Sequence, residues 1–580
     1  MNEEEKKMKK KATKLRSQRW FGENDLRSFG HRSRMNQLGY DYEEYVDKPI
    51  IAIINPWNEL NTCHGHFPQM VQEIKRGILS SGAFPVEIPV LSLGEQLIKP
   101  TSMMFRNLLA LEVEEVLRAY PVDGAVLLGG CDKTTPGVLM GAISFNIPFV
   151  YVPAGAMIRG NYKGEVLGSG TDVWKYWDEK QAGNFSECEW RKLELGIARS
   201  AGTCMSMGTA STMMILSEAL GLCLPGSSSI LAVDSEHSRM ARASGVQIVK
   251  LVEDDVKPRD ILSKQSFENA VITLNAIGGS TNAVIHLIAM ALRAKISLDL
   301  DDFERLSKDI PLILNLKPSG KYVMEDFFYA GGTLALFKVL KAKLHDIKTI
   351  NQKSFYENNK DGEIYNQDVI SSLAKPFNAL PSLAILKGNL APDGAVIKQS
   401  ACSKHLFKHK GKALVFDDIE ILKATIDDEN LDVDENSVLV LKNAGPVGAP
   451  GMPEWGNLPL PKKLLKKGVK DMLRISDARM SGTCYGSSIL HVAPESYIGG
   501  NLALVETGDM INFDLEKRLI EVLLSDEELT KRRKAYKPKP RDYSSGYAKL
   551  FTSSVGQADK GCDFDFLSDG DRANKEPRIF

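Results

Sequence analysis

Residues 123–145 read "DGAVLLGGCDKTTPGVLMGAISF", and this stretch decides the fold. The opening "DGAVLLGG" is a short apolar run with the make-up of a strand buried on both faces. The closing "GVLMGAISF" reads as a helix. Between them lies a tight turn, Cys131-Asp132-Lys133, and then Thr134, Thr135 and Pro136, which resemble the start of the helix with proline near its first position. A strand passing through a turn into a helix is the repeating unit of an α/β fold. In open α/β sheets, ligands bind beyond the carboxyl ends of the strands, where this turn falls. Free N–H groups at the helix start favour an anion or an anionic cluster. An ordinary surface turn with a stray cysteine is the alternative reading.

The alternation continues on both sides. Upstream, "PIIAIINP" (49–56) reads as a buried strand, "FPQMVQEIKRGILSSG" (67–82) as a helix, "FPVEIPVLSLGE" (84–95) as a strand running into a loop, and "SMMFRNLLALEVEEVLRAY" (102–120) as a helix. Downstream, "GTCMSMGTASTMMILSEALGL" (202–222) and "LNAIGGSTNAVIHLIAMALRA" (274–294) are glycine-punctuated loops feeding helices, with Ser280 or Thr281 as N-cap of the second. The polar stretch 347–368 breaks the pattern and reads as a linker or surface excursion. Beyond it come short strand-like runs such as "GAVIKQSA", "KALVFDD", "SVLVLKNAG" and "RLIEVLLS". The predicted architecture is an N-terminal α/β domain with a parallel sheet over 16–375 and a mainly β domain, barrel or sandwich, over 376–580. Residues 1–15 are expected to be a disordered tail, being charged and without an apolar core.

Composition excludes some partners. The 580 residues hold 73 Lys+Arg against 74 Asp+Glu, which gives no electrostatic case for nucleic acid. No apolar run approaches the length of a membrane span. Eight cysteines, at 63, 131, 188, 204, 223, 402, 484 and 562, are too sparse and irregular for a disulfide framework, so reduced thiols in the cytoplasm are expected.

Three cysteines share one setting: Cys63 in "NELNTCHGHFP", Cys131 in "GGCDKTTPG" and Cys204 in "SAGTCMSMGTAS". Each sits among Gly, Thr or Ser just before a helix, where thiol pKa values are expected to be depressed and thiolates make good metal ligands. Three thiolates suit an iron–sulfur cluster with one iron left open, able to act as a Lewis acid. Asp132 beside them is a hard ligand suited to Mg²⁺. His64 and His66 are expected to pack around the cysteines instead of ligating.

These residues match a known pattern. "CDKTTPGVLMG", "GTCMSMGTASTM", "GGSTNAVIHL", "SDARMSGT" and "HVAPE" resemble, in order, the signature blocks of the dihydroxy-acid and 6-phosphogluconate dehydratase superfamily. The resemblance runs from about Arg16 to about Leu567. Within the superfamily the chain is most similar to sugar-acid dehydratases acting on L-arabinonate or D-xylonate. The residues that carry this are "RSQRWFGENDLRSFGHRS", "SLGE" (92–95), "KPTSMMFRN" (99–107), "GSGTDVWKYW" and "QADKGCDFDFL". Ser-Asp-Ala at 476–478, where many members have Thr-Asp-Gly, points the same way.

The resemblance implies a [2Fe–2S] cluster on Cys63, Cys131 and Cys204. It implies Mg²⁺ held by Glu95, Asp132, Glu454 and Lys133 as a carbamate, and Ser481 as catalytic base. It implies an α/β domain followed by a β-barrel-like domain, a homodimer or homotetramer, and a small sugar acid as substrate. Dehydration in branched-chain amino-acid synthesis is the runner-up activity. An iron–sulfur sensor and a zinc or thiol enzyme are further alternatives, of which the sensor has no use for Ser481, Glu95 and Glu454.

Overall fold

The computed structural model describes residues 15–181, 185–540, 543–568 and 576–579. The tail expected over 1–15 lies outside these residues but for its last position.

Four parallel strands, β1 (Ile50–Asn55), β2 (Phe84–Pro89), β3 (Gly124–Gly129) and β4 (Phe149–Pro153), form a sheet in the order β2-β1-β3-β4. All residues of β1, β3 and β4 are buried, as the apolar runs require of strands covered on both faces. The helices that matter for the site are α1 (Phe67–Ser80), α2 (Met103–Ala119), α3 (Thr134–Phe145), α4 (Thr209–Ala219), α5 (Ser235–Glu253) and α6 (Asn282–Arg293). The β1→β2 and β3→β4 crossovers run in opposite directions, so their right-handedness puts α1 and α3 on opposite faces. There α5 packs on α1, and α2 packs on α3. A small antiparallel hairpin follows, β5 (Gly160–Tyr162) with β6 (Glu165–Leu167).

The second half closes into an eight-stranded mixed barrel. Its strands are β7 (Ala384–Gly388), β8 (Ala391–Ile397), β9 (Lys408–Phe416), β10 (Val438–Leu441), β11 (Arg474–Ser476), β12 (Ser488–Ala493), β13 (Met510–Asp514) and β14 (Leu519–Val522). They are ordered β10-β11-β12-β8-β7-β14-β13-β9. Of the two β architectures compatible with the sequence, the barrel is thus the one formed. Side-chain alternation explains the closure: on β10, Val438 and Val440 join the inner core while Leu439 and Leu441 join an outer apolar layer.

One local reading changes and two are refined. The stretch 347–368 is not a free linker. Its sparse apolar residues Ile347, Ile350 and Phe355 are buried, Phe355–Asn359 is a helical turn, and Gln247 donates to the Ile350 carbonyl at 2.7 Å. Its polar residues bond one another, as in Asn351 Nδ2 to Asn358 Oδ1 at 2.8 Å, which hides the packing from a composition-based reading. Thr281 precedes α6 without a side-chain cap, and Ser280 Oγ instead accepts from Asn282 N at 3.2 Å. Pro136 sits at the third residue of α3, not the first.

Gly77 on α1 and Gly245 on α5 let the two helix backbones touch. A Cβ at Gly77 would lie 2.1 Å from the Arg242 carbonyl oxygen, and one at Gly245 would lie 2.4 Å from that of Ile74. Gly→Ala in an open helix stabilises by about 1 kcal/mol, but here overpacking against backbone, about 1–3 kcal/mol or more, outweighs it. Gly77→Ala is expected to lower the denaturant midpoint of unfolding; an unchanged or higher midpoint would contradict the close crossing.

Candidate active site

The three cysteine loops converge at the carboxyl edge of the sheet. Cys63 lies in a single turn, Thr62–His64, between β1 and α1. Cys131 follows β3 directly. Cys204 is brought alongside by Thr203, which bridges to Ala156 beyond β4 and takes the Gly155 carbonyl at 2.9 Å. Cys63 is within hydrogen-bonding reach of Cys131, and Cys204 and Asp132 add to the field on it. His64 orients Cys131, its Nε2 accepting from the Cys131 N–H at 3.1 Å while Nδ1 sits 2.7 Å from the Pro56 carbonyl. Burial drives His64 down to about 3, so it is a neutral acceptor. His66 bonds the Ala154 carbonyl at 2.8 Å. His64 thus supports the Cys131 loop, while His66 packs against Phe67 and His237.

The Cys63 and Cys204 thiols shift opposite to expectation. The Cys63 thiol is raised well above its ordinary value, first by hydrogen bonding to Cys131, then by burial and by Cys131, Cys204 and Asp132. The Cys204 thiol is pushed up to about 12, mainly by burial and also by Asp132, Cys131 and Glu95. Helix starts do favour thiolates, but burial and mutual repulsion are the larger effects here. Thiols so placed become thiolates together only with a cation among them.

Beside the thiols stands a set of hard donors. Lys133 is fully buried, and its Nζ lies 3.1 Å from Glu95, 3.5 Å from Asp132 and 3.4 Å from Glu454. Burial and Arg479 oppose the charge on Lys133, yet the three carboxylates outweigh them and raise its pKa. Burial pushes Asp132 up to about 6, helped by Glu95 and Glu454 and resisted by Lys133. Glu95 also accepts from Ser102, and its backbone N–H donates to Cys131 Sγ at 3.3 Å, so one residue touches both donor sets. Glu454 is no solvated loop acid. Arg479 and Asn282 each donate to it at 2.8 Å.

The Ser481 turn closes the site from the barrel side. Ser481 Oγ lies 3.0 Å from Thr483 Oγ1 and is half-buried. Gly482 admits the turn, since a Cβ there would lie 2.8 Å from both Ser280 and the Thr209 backbone N at the start of α4. The GGST turn and the Cys204 loop therefore meet the barrel at this point. All eight residues singled out from the sequence lie within this one junction.

Among the described residues, no three histidine, cysteine or acidic side chains already stand in ion-binding geometry. The three carboxylates instead face the Lys133 ammonium. The donor chemistry nonetheless fits two groups: a soft trio of repelling thiols, and a hard trio of acids whose centre is already cationic. The buried, unpartnered Oδ1 of Asn282, beside Glu454, is a further acceptor held at the site.

Sequence reasoning assigned no role to Arg479, Asn282, Ser102 or Thr101. Arg479 is fully buried; besides Glu454 it donates to the Met452 carbonyl at 2.8 Å and to Thr101 Oγ1 at 3.1 Å. Its position two residues before Ser481 was the available signal. The signatures "KPTSMMFRN" and "QADKGCDFDFL" turn out to be two sides of one contact. Arg106 donates to the carbonyls of Gly561 and Cys562 at 2.9 Å, and Asn107 also donates to Cys562 at 2.9 Å.

Comparison with known proteins gives concordant matches. The dihydroxy-acid/6-phosphogluconate dehydratase N-terminal family matches residues 48–358, and the corresponding C-terminal family matches 368–562. A 6-deoxy-6-sulfo-D-gluconate dehydratase of Pseudomonas putida is 50% identical over 98% of this chain and 99% of its own. An L-arabinonate dehydratase of Rhizobium leguminosarum is 48% identical over 98% and 99%. A dihydroxy-acid dehydratase of Methanoregula boonei is more distant, 38% identical over 92% and 96%.

Arg479 joins both halves of the site. Replacing it by methionine leaves the largely enclosed Glu454 without its arginine, and breaking a buried pair costs up to about 3–5 kcal/mol. Arg479→Met is expected to lower the unfolding midpoint by that order; a variant as stable as the parent would show that the contact holds nothing together.

Proposed function

The chain belongs to the dihydroxy-acid/6-phosphogluconate dehydratase family, and on that premise we propose that it dehydrates a sugar acid, converting a 2,3-dihydroxy carboxylate into a 2-keto-3-deoxy acid. One observation carries this reading: a thiol trio and a carboxylate-ringed lysine meet a barrel serine at a single buried junction. Identity of 48–50% over nearly whole chains to dehydratases named for sugar acids supports the substrate class over a branched aliphatic acid.

Cys63, Cys131 and Cys204 would hold a [2Fe–2S] cluster, and Glu95, Asp132, Glu454 and a carbamylated Lys133 would hold Mg²⁺. When bound, these groups supply Lewis acidity toward the 3-hydroxyl and toward the carboxylate with its 2-hydroxyl. Carbamylation would replace the Lys133 cation by an anionic oxygen donor, which the three facing acids would admit only with a metal cation among them. Ser481, in its deprotonated form, takes the C2 proton onto Oγ. The C2–H electron pair forms the C2–C3 double bond and the C3–O bond breaks; the departing hydroxide takes the proton back from Ser481 Oγ and is released as water, which regenerates the base. The enol then tautomerises to the ketone. Arg479 and Asn282 orient Glu454, and His64 orients Cys131. No helix among the described residues is long and apolar enough to cross a membrane. A cytoplasmic homodimer or homotetramer without nucleic-acid or membrane partners completes the proposal.

Ser481→Ala tests the base. It should fold, keep its cluster and bind substrate, yet lose about 10²–10⁴-fold or more in turnover together with exchange of the C2 hydrogen in deuterated water. Retention of more than about a tenth of wild-type turnover would remove Ser481 from the chemistry.

A panel of aldonic acids assayed beside 2,3-dihydroxyisovalerate tests the substrate class. Sites built to hydrogen-bond hydroxyls reject analogues lacking them by about 10⁴–10⁵-fold, so the pentonates and hexonates should dominate; equal or faster turnover of the branched acid would reverse the assignment.

A further inference from the structure

Lys398 directly follows β8 and is buried, in a segment that runs beside the end of the Ser481 turn. Its segment is tied to that turn: the Gly486 N–H donates to the Ala401 carbonyl at 3.1 Å, Ser403 N donates to Ser487 Oγ at 3.2 Å, and Cys402 Sγ lies 2.9 Å from Ser487 Oγ. The Lys398 side chain is only 2% exposed, and its Nζ has no hydrogen-bond partner among the described residues. The other buried cations near the site are all engaged. Lys133 faces three acids, Arg479 holds Glu454, Arg293 holds Asp563 at 2.6 Å, and Arg106 holds two carbonyls.

An unpaired buried ammonium destabilises a fold, and an apolar side chain of the same length would serve packing better. What Lys398 faces is Cys484, whose thiol is pushed up to about 12 chiefly by burial and is therefore neutral. Cys484 in turn sits against Ser481: its N–H donates to the Ser481 carbonyl at 3.1 Å, and the Ser481 side chain acts on its thiol. Burial accordingly lowers Lys398 to about 8. A serine that must become an anion needs uncompensated positive charge nearby. The fields of Lys133 and Arg479 are already answered by carboxylates, whereas that of Lys398 is not.

We propose that Lys398 is a positioning residue whose charge, acting across Cys484, stabilises Ser481 in its deprotonated, proton-accepting form. This rests on the reading of Ser481 as base. A single charge acting over a side chain's width in a protein interior is worth about ten- to a hundredfold in such an equilibrium.

The test compares Lys398→Met and Lys398→Gln with Ser481→Ala, each as cluster-loaded holoenzyme. Expected for the Lys398 variants are a ten- to hundredfold loss of kcat, KM within about twofold, equally slowed C2 hydrogen exchange, and an unchanged or raised melting temperature in the methionine variant. In a Ser481→Ala background the same changes should add no further loss, because the effect passes through the serine. Wild-type turnover in both variants overturns the proposal. So does a raised KM at unchanged kcat, which would put Lys398 on the substrate, and so does a melting temperature that falls with activity, which would make its role packing. If Ser481→Ala is inert while both Lys398 variants stay active, this inference alone fails; if Ser481→Ala remains active, the base assignment fails first.

Discussion

Glu454 is shared: the same carboxylate oxygen takes hydrogen bonds from Lys133 and Asn282 of the first domain and from Arg479 of the barrel. Lys133 and Arg479 are both fully buried cations that face this carboxylate, and a buried charge is far less stable isolated than paired. The approach of barrel to sheet is therefore set by charge matching at the site itself. Beside that point the backbones also approach closely, with Gly482 against the start of α4. The site is built from the domain junction, and geometry at one is geometry at the other.

The parts legible in the sequence were those with a local signature. "DGAVLLGGCDKTTPG" announces strand, turn and helix start because apolar run, glycine and proline each have a short-range meaning. The thiol convergence was readable from three similar loops on one expected sheet edge. What could not be read was anything set by distant partners. Arg479 is an unremarked charged residue until Glu454, Met452 and Thr101 close on it. The direction of the thiol shifts depends on how deeply Cys63 and Cys204 are buried and on their being neighbours, neither of which follows from a loop's composition. Residues 347–368 misled for the same reason: three apolar side chains bury while their polar neighbours bond one another.

The sugar-acid signatures gain a physical account. Arg106 and the Gly561–Cys562 backbone form one buried contact, and Arg293 with Asp563 and Glu114 forms the next. The final helical turns thus return across the barrel to pack on α2 and α6, with Phe551 and Phe564 against Met103 and Ile285. These residues support the floor of the site at one remove, so they are tied to the chemistry without touching it.

The distribution of donors along the chain also orders events during synthesis. Every thiol of the soft trio lies in the first domain, which emerges from the ribosome first and folds as a unit. The hard trio stays incomplete until the barrel delivers Glu454, and Lys133 until then has only Glu95 and Asp132 for company. On the proposed reading, a nascent chain would therefore accept a sulfur-ligated group before an oxygen-ligated one. Maturation then has a direction written into the topology, in which completion of the barrel locks in what the first domain has already captured.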